Sequence, residues 1–112
     1  MNESILLAEG DAAVRTMVGR VLESAGYRVT QAGTSAEAAR GWDTARPDLV
    51  VWDLELGAPE GRKGLEFKAG SEGRIPVVGI TAWPNQQEQA TRRGITVLLE
   101  KPLDLPLLLR TI

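Results

Sequence analysis

Five apolar runs of strand length recur along the chain: SILLA (4–8), YRVTQA (27–32), DLVVWD (48–53), IPVVGIT (75–81) and ITVLLE (95–100). Helical patterns separate them. Strands that read as continuous apolar stretches are buried on both faces, and strands interleaved with helices pair in parallel, so the pattern predicts a doubly wound α/β fold. A chain of 112 residues has the length of one such domain, spanning 1–112, with none left over for a second.

The helical segments differ in quality. Val14, Met17, Val18, Val21, Leu22 and Ala25 fall on one stripe of a first helix, with Asp11 as its N-cap and Gly26 as its stop. A second helix opens at Thr34 or Ser35 and closes before Pro47, with Gly41 weakening its middle. A third, around 62–70, is short and bounded by glycines, after a Gly-containing loop over 57–64. The fourth, within 84–94, begins at Pro84 and offers little apolar surface beyond Ala90, so a short, labile helix is expected. In the last, Asp104 caps a stripe of Leu105, Leu108, Leu109 and Ile112, Pro106 sits in the first turn, and Leu107 lies off the stripe.

Composition narrows the chemistry. The chain has no Cys and no His, which removes disulfides, thiolate nucleophiles, most hydrolytic triads and zinc sites. A net charge of −2 supplies no basic field for a phosphate backbone, so direct nucleic-acid binding is not expected. No apolar run approaches the roughly 18–20 residues that span a bilayer, and the N-terminus lacks a signal-peptide pattern. A cytoplasmic location without a membrane partner is the expectation.

The third run ends on a charge: Leu49, Val50, Val51 and Trp52 lead directly into Asp53, with Glu55 two places on. In doubly wound folds function gathers at the carboxyl ends of the strands. Glu9, Asp53, Thr81 and Lys101 all follow or end a strand there, so they should converge. Two acids, a hydroxyl and an ammonium can together hold a divalent cation and a phosphoryl group. A cis bond between Lys101 and Pro102 would aim the ammonium inward, although trans is the commoner state of such bonds.

The segments ILLAEGDAAVR, AGYRVTQAGTSAEA, PDLVVWDLELG, PVVGITA and EKPLDL, in this order, resemble the response-regulator receiver domain of two-component signalling over nearly the whole chain. That resemblance implies a flavodoxin-like five-stranded parallel sheet of order 2-1-3-4-5. It implies a phosphorelay signalling module and not an enzyme, with Asp53 as phosphoacceptor, Lys101 and Thr81 as phosphoryl-binding and switch residues, and Mg²⁺ as cofactor. The metal would be held by Glu9, Asp53 and the backbone carbonyl of Glu55. The implied partners are a histidine kinase or phosphotransfer protein upstream and a protein partner downstream; a homodimer is a separate possibility, and the sequence leaves the oligomeric state open.

Three departures stand out. The family places two adjacent acids after the first strand, and here Glu9 is followed by Gly10, so weakened metal affinity is expected. Asp11 is a further metal candidate in place of the missing acid, but its position just before the first helix favours a capping role. Leu98 stands where the family carries an aromatic switch residue. The interval from Thr81 to Lys101, 20 positions (101 − 81), is shorter than the family's usual one, which places a remodelled surface around the fourth helix. Glu55 and Trp83 flank the site, two places beyond Asp53 and Thr81. Two carboxylates about 4 Å apart repel by roughly 4 kcal/mol at an effective dielectric of about 20, so Glu55 would oppose charge on Asp53 unless a cation intervenes. The plain alternative is a solvated Glu and a partly exposed Trp.

Competing functions follow from these departures. Gly10 and Leu98 favour a degenerate receiver that binds proteins without phosphotransfer; Asp53, Thr81 and Lys101 together favour phospho-acceptance. A phosphatase of the haloacid dehalogenase type would need its Asp on the first strand and a second Asp where Glu55 stands. A flavodoxin-like nucleotide binder would need Ser, Thr or Gly in a first loop that reads EGD.

Overall fold

The computed structural model describes residues 3–56, 75–92, 95 and 97–112. Five parallel strands, β1 (Ser4–Ala8), β2 (Arg28–Ala32), β3 (Leu49–Asp53), β4 (Val77–Thr81) and β5 (Val97–Glu100), form one sheet in the order β2-β1-β3-β4-β5. This is the order that the resemblance to receiver domains implies. The helices are α1 (Ala12–Ser24), α2 (Ser35–Ala45), α3 (Gln87–Arg92) and α4 (Leu105–Thr111), and a 3₁₀ turn, Leu54–Leu56, follows β3 directly. The helix expected around 62–70 and the loop over 57–64 lie outside the described residues. None of the described helices is long and apolar enough to cross a membrane.

The period-2 alternation of side chains divides the core between the two faces of the sheet. Leu6, Ala8, Val50, Trp52 and Val77 meet Ala38 of α2 and Ala90 of α3 on one face; Ile5, Leu7, Val51, Val78 and Ile80 meet Val18, Leu22 and Leu108 of α1 and α4 on the other. The three central strands are buried along their whole length, whereas β2 and β5, at the edges, are half exposed. Each fully buried Leu, Ile or Val contributes about 1.5–3 kcal/mol.

Local chemistry sets the helix ends. Asp11 Oδ1 accepts the N–H groups of Ala13 and Val14 at 2.9 and 3.1 Å, and Thr34 Oγ1 accepts that of Glu37 at 3.1 Å. Gly26, just past α1, adopts φ +101°, a conformation open to a residue without Cβ. Asp104 caps α4, with Pro106 in its first turn, and Leu107 is left exposed as its position off the stripe requires. Asp11→Ala should destabilise the fold by about 1 kcal/mol, the usual worth of such a cap. A lower denaturant midpoint with unchanged slope would show it.

Two expectations need correction. The helix within 84–94 starts at Gln87, not Pro84, because Asn85 takes a left-handed φ of 62° and breaks the path. It is short, as expected. Gly41 is not simply a weak point: a Cβ there would stand 3.0 Å from Leu6 Cδ1 and 3.3 Å from Thr30 Cγ2, so the glycine lets α2 lie close on the sheet.

Candidate functional site

The parallel register brings the carboxyl ends of β1, β3, β4 and β5 to one edge of the sheet. Ala8 pairs with Trp52, Asp53 with Ile80, and Thr81 with Glu100, so the residues that follow each strand emerge side by side. Two further bonds extend these ladders by one residue: Glu9 N–H donates to the Ala32 carbonyl at 3.0 Å, and Lys101 N–H to the Thr81 carbonyl at 2.8 Å. The Lys101–Pro102 bond is cis.

Glu9, Asp53 and Thr81 are all buried, an unusual concentration of polar side chains for a small core. Lys101 Nζ lies 3.1 Å from Glu9 Oε2 and 3.8 Å from both Asp53 Oδ2 and Glu55 Oε1. One ammonium thus serves three carboxylates. Main-chain donors complete the arrangement: Glu55 N–H donates to Asp53 Oδ1 at 2.9 Å, Gly10 N–H to Asp53 Oδ2 at 3.2 Å, and Asp11 N–H to Glu9 Oε2 at 2.9 Å. Arg15 Nη1 donates to the Glu9 carbonyl at 2.8 Å and ties α1 to the loop.

These contacts split the two buried acids. Burial alone would raise the Asp53 carboxyl, but the Glu55 N–H, the neighbouring Glu9 carboxyl and the Gly10 N–H outweigh it and hold Asp53 below the ordinary carboxylate range. Burial raises Glu9, and the Asp53 charge adds to it, against the pull of the Asp11 N–H and Lys101. Burial works against the charge on Lys101, yet Glu9, Asp53 and Glu55 together raise it above its ordinary value.

The expected divalent cation can be tested against these donors. Glu9 Oε1 is buried with no hydrogen-bond partner, and an orphaned carboxylate oxygen beside a second carboxylate is a place where a cation fits. The fit is a lean one. Among the described residues no three acids, histidines or cysteines gather in a metal-holding group. Gly10 supplies no side chain, and Asp11 spends its Oδ1 on the cap of α1. Mg²⁺ commonly takes only one or two protein carboxylates, with water and phosphate oxygens filling the rest, so Glu9 and Asp53 meet its needs.

The flanking residues part company. Trp83 is 63% exposed, and its N–H donates to Thr81 Oγ1 at 3.1 Å. Glu55 is not a solvated loop acid: its Oε2 accepts from Thr81 Oγ1 at 3.0 Å and from the Ala82 N–H at 3.3 Å. Leu98 packs against the core face that holds Trp52. Sequence reasoning found the charged residues but missed the Ala82 N–H and the Arg15 clamp. Main-chain donors leave no trace in residue type, although Arg15, one turn into α1 and facing the end of β1, carried a readable signal.

The comparisons with known proteins bear on the family and the fold. The family model described as "Response regulator receiver domain" matches residues 5–112. The CAI-1 autoinducer sensor kinase/phosphatase CqsS of Vibrio cholerae is 27% identical over 113 residues, covering 96% of this chain but only 16% of that protein. Sporulation initiation phosphotransferase F of Bacillus subtilis is 26% identical over 107 residues, 94% of this chain and 86% of that protein. A response regulator receiver protein from Burkholderia phymatum superposes with a TM-score of 0.78 at 27% identity, covering 98% of this chain and 91% of the other. Receivers of this kind are signalling modules that take a phosphoryl group on an Asp, bind Mg²⁺ in an acidic pocket and exchange signals with kinases or phosphotransfer proteins and with effectors. Fold and family model agree: the chain belongs to the response regulator receiver domain family of two-component systems.

Proposed function

We propose that the chain, as one receiver unit over 1–112, accepts a phosphoryl group on Asp53 from the phosphohistidine of a histidine kinase or phosphotransfer protein, and passes the signal to a protein partner in the cytoplasm. One observation carries this reading: a buried strand-end carboxylate is kept ionised by two backbone N–H groups, with an ammonium 3.8 Å away. Such an oxygen needs no general base. It attacks phosphorus, the P–N bond breaks, and its electron pair stays on the imidazole nitrogen, leaving an acyl phosphate on Asp53. Phosphoryl transfer asks a protein chiefly for positioning and for donors to the phosphoryl oxygens, and Lys101 and Thr81 are the donors we assign.

Mg²⁺, held by Glu9 and Asp53 beside the Glu55 carbonyl, would neutralise charge on the transferred group. With Gly10 in place of a second acid, its affinity is weakened. Gly10→Asp probes this directly, since a Cβ at residue 10 would meet Leu56 Cδ2 at 3.4 Å and Asp53 Oδ2 at 3.7 Å, ordinary contacts. Because the charge of the ligand set governs affinity, the substitution should tighten Mg²⁺ binding about tenfold by calorimetry. Unchanged affinity would mean that the loop is built differently.

The direct test is incubation with acetyl phosphate and Mg²⁺, followed by intact-mass measurement. One added phosphoryl group per chain supports the reading, and none rejects it. In the latter case the second reading, a receiver that binds partners without phosphotransfer, gains, since the single acid after β1 already favours it.

A further inference from the structure

Glu55 stands where its side chain competes with the chemistry of Asp53. Its carboxylate receives the Thr81 hydroxyl at 3.0 Å and the Ala82 N–H at 3.3 Å, and lies 3.8 Å from Lys101 Nζ. A hydroxyl, a main-chain N–H and an ammonium form a ready-made donor set for an oxyanion. Asp53, two residues away, is held by other donors, the N–H groups of Glu55 and Gly10. The two acids therefore occupy adjacent halves of one pocket: one at the nucleophile's place, the other on the donors that face it.

Resting on the acceptor role of Asp53, we infer that Glu55 is an internal occupant of the phosphoryl-oxygen subsite, so that a phosphoryl group reaches Thr81, Ala82 and Lys101 only by displacing it. Each of these donors has limited capacity. The Thr81 hydroxyl has one proton and Ala82 one N–H, and neither can serve the Glu55 carboxylate and a phosphoryl oxygen at full strength together. Repulsion between two anions in a partly buried site adds to the competition. The occupant is free to leave: the Glu55 side chain is 33% exposed and sits in a one-turn 3₁₀ segment at the rim, so it can swing into water without disturbing the core. It also explains how Glu55 tolerates its position beside Asp53, since Lys101 lies within reach of both. The consequence is a raised threshold, with weak phosphodonors or low Mg²⁺ leaving the pocket closed on itself.

Beryllofluoride with Mg²⁺, which occupies the place of a phosphoryl group on a carboxylate, is the probe, read by Trp fluorescence in the wild type, Glu55→Ala and Glu55→Gln. Removing a competitor that holds the Thr81 hydroxyl and the Ala82 N–H by hydrogen bonds, with the Lys101 ammonium 3.8 Å away, should tighten binding about tenfold in Glu55→Ala, with Glu55→Gln in between. In amide-resolved NMR without any phosphodonor, the Ala82 N–H should shift on Glu55→Ala as its carboxylate partner is lost. Equal or weaker beryllofluoride affinity in Glu55→Ala, or an unmoved Ala82 amide, overturns the inference while leaving Asp53 as acceptor. Absence of binding in all three proteins overturns the acceptor role itself, and this inference with it.

Discussion

Asp53→Asn should abolish phosphoryl incorporation from acetyl phosphate and erase the fluorescence response to Mg²⁺ and beryllofluoride. An acyl phosphate forms only on a carboxylate, and the neutral amide of Asn is a far weaker nucleophile and, being uncharged, a weaker ligand for a hard cation. The substitution keeps the size of the side chain. Asn can still accept one of the two N–H groups that Asp53 receives from Glu55 and Gly10, and it removes one anion from a crowded pocket. The lost bond and the relieved repulsion offset each other, so stability should stay within about 1 kcal/mol of the wild type. Loss of the signal in a folded protein then reports chemistry. Residual incorporation by intact mass would move the acceptor elsewhere.

Lys101→Ala should cost about 3 kcal/mol of stability when no divalent cation is present, the scale expected when one partner of a buried ion pair is removed. Glu9 and Asp53 are essentially inaccessible to water, and Lys101 is the ammonium that reaches both. The loss should depend on pH in a defined direction. Glu9 is raised, so its protonated form suits the fold: its contribution is complete below the unfolded carboxyl value and is lost as pH rises through the higher folded value. Without Lys101, which pulls Glu9 down, that window widens, and acidification should return part of the lost stability. Asp53 opposes this at the acid end, because its depressed value means stability present above the unfolded carboxyl value and lost as pH falls through the folded one. Mg²⁺ should also restore stability by binding the folded state alone. Denaturant midpoints at several pH values, with and without Mg²⁺, measure all of this. A deficit that ignores both proton and metal would show that Lys101 packs but does not neutralise.

The Lys101 and Asp53 substitutions probe one design. Among the described residues, three carboxylates crowd the rim of the sheet, and the Lys101 ammonium with a few N–H groups makes that crowding tolerable. Glu9 Oε1 is the oxygen left unsatisfied among them. A cation or a proton has reason to arrive there, which gives the pocket its receptivity.

Much of this molecule is written locally in its residues. Runs such as LLA in β1 and LVVW in β3 read as strands buried on both faces, since nothing polar interrupts them, and the caps at Asp11, Thr34 and Asp104 act within a turn of their own helices. The alternation of strands and helices fixed a parallel, doubly wound sheet but not its strand order, which came from the resemblance to receiver domains. That Glu9, Asp53, Thr81 and Lys101 would meet was therefore legible, each being a strand-end residue. What those residues do to one another was not. By sequence Glu55 is either a site-flanking acid or a solvated loop acid, and only the folded chain turns its carboxylate onto Thr81 and Ala82, 26 and 27 residues away. Asp11 offered a carboxylate to either a metal or a helix, and the path of the chain into α1 gave it to the helix. Gly41 looked like a defect until the 3.0 Å approach of Leu6 showed why a side chain has no room. Propensity and periodicity act over a few residues, whereas the direction of a single side chain depends on neighbours that only the assembled sheet brings within 4 Å.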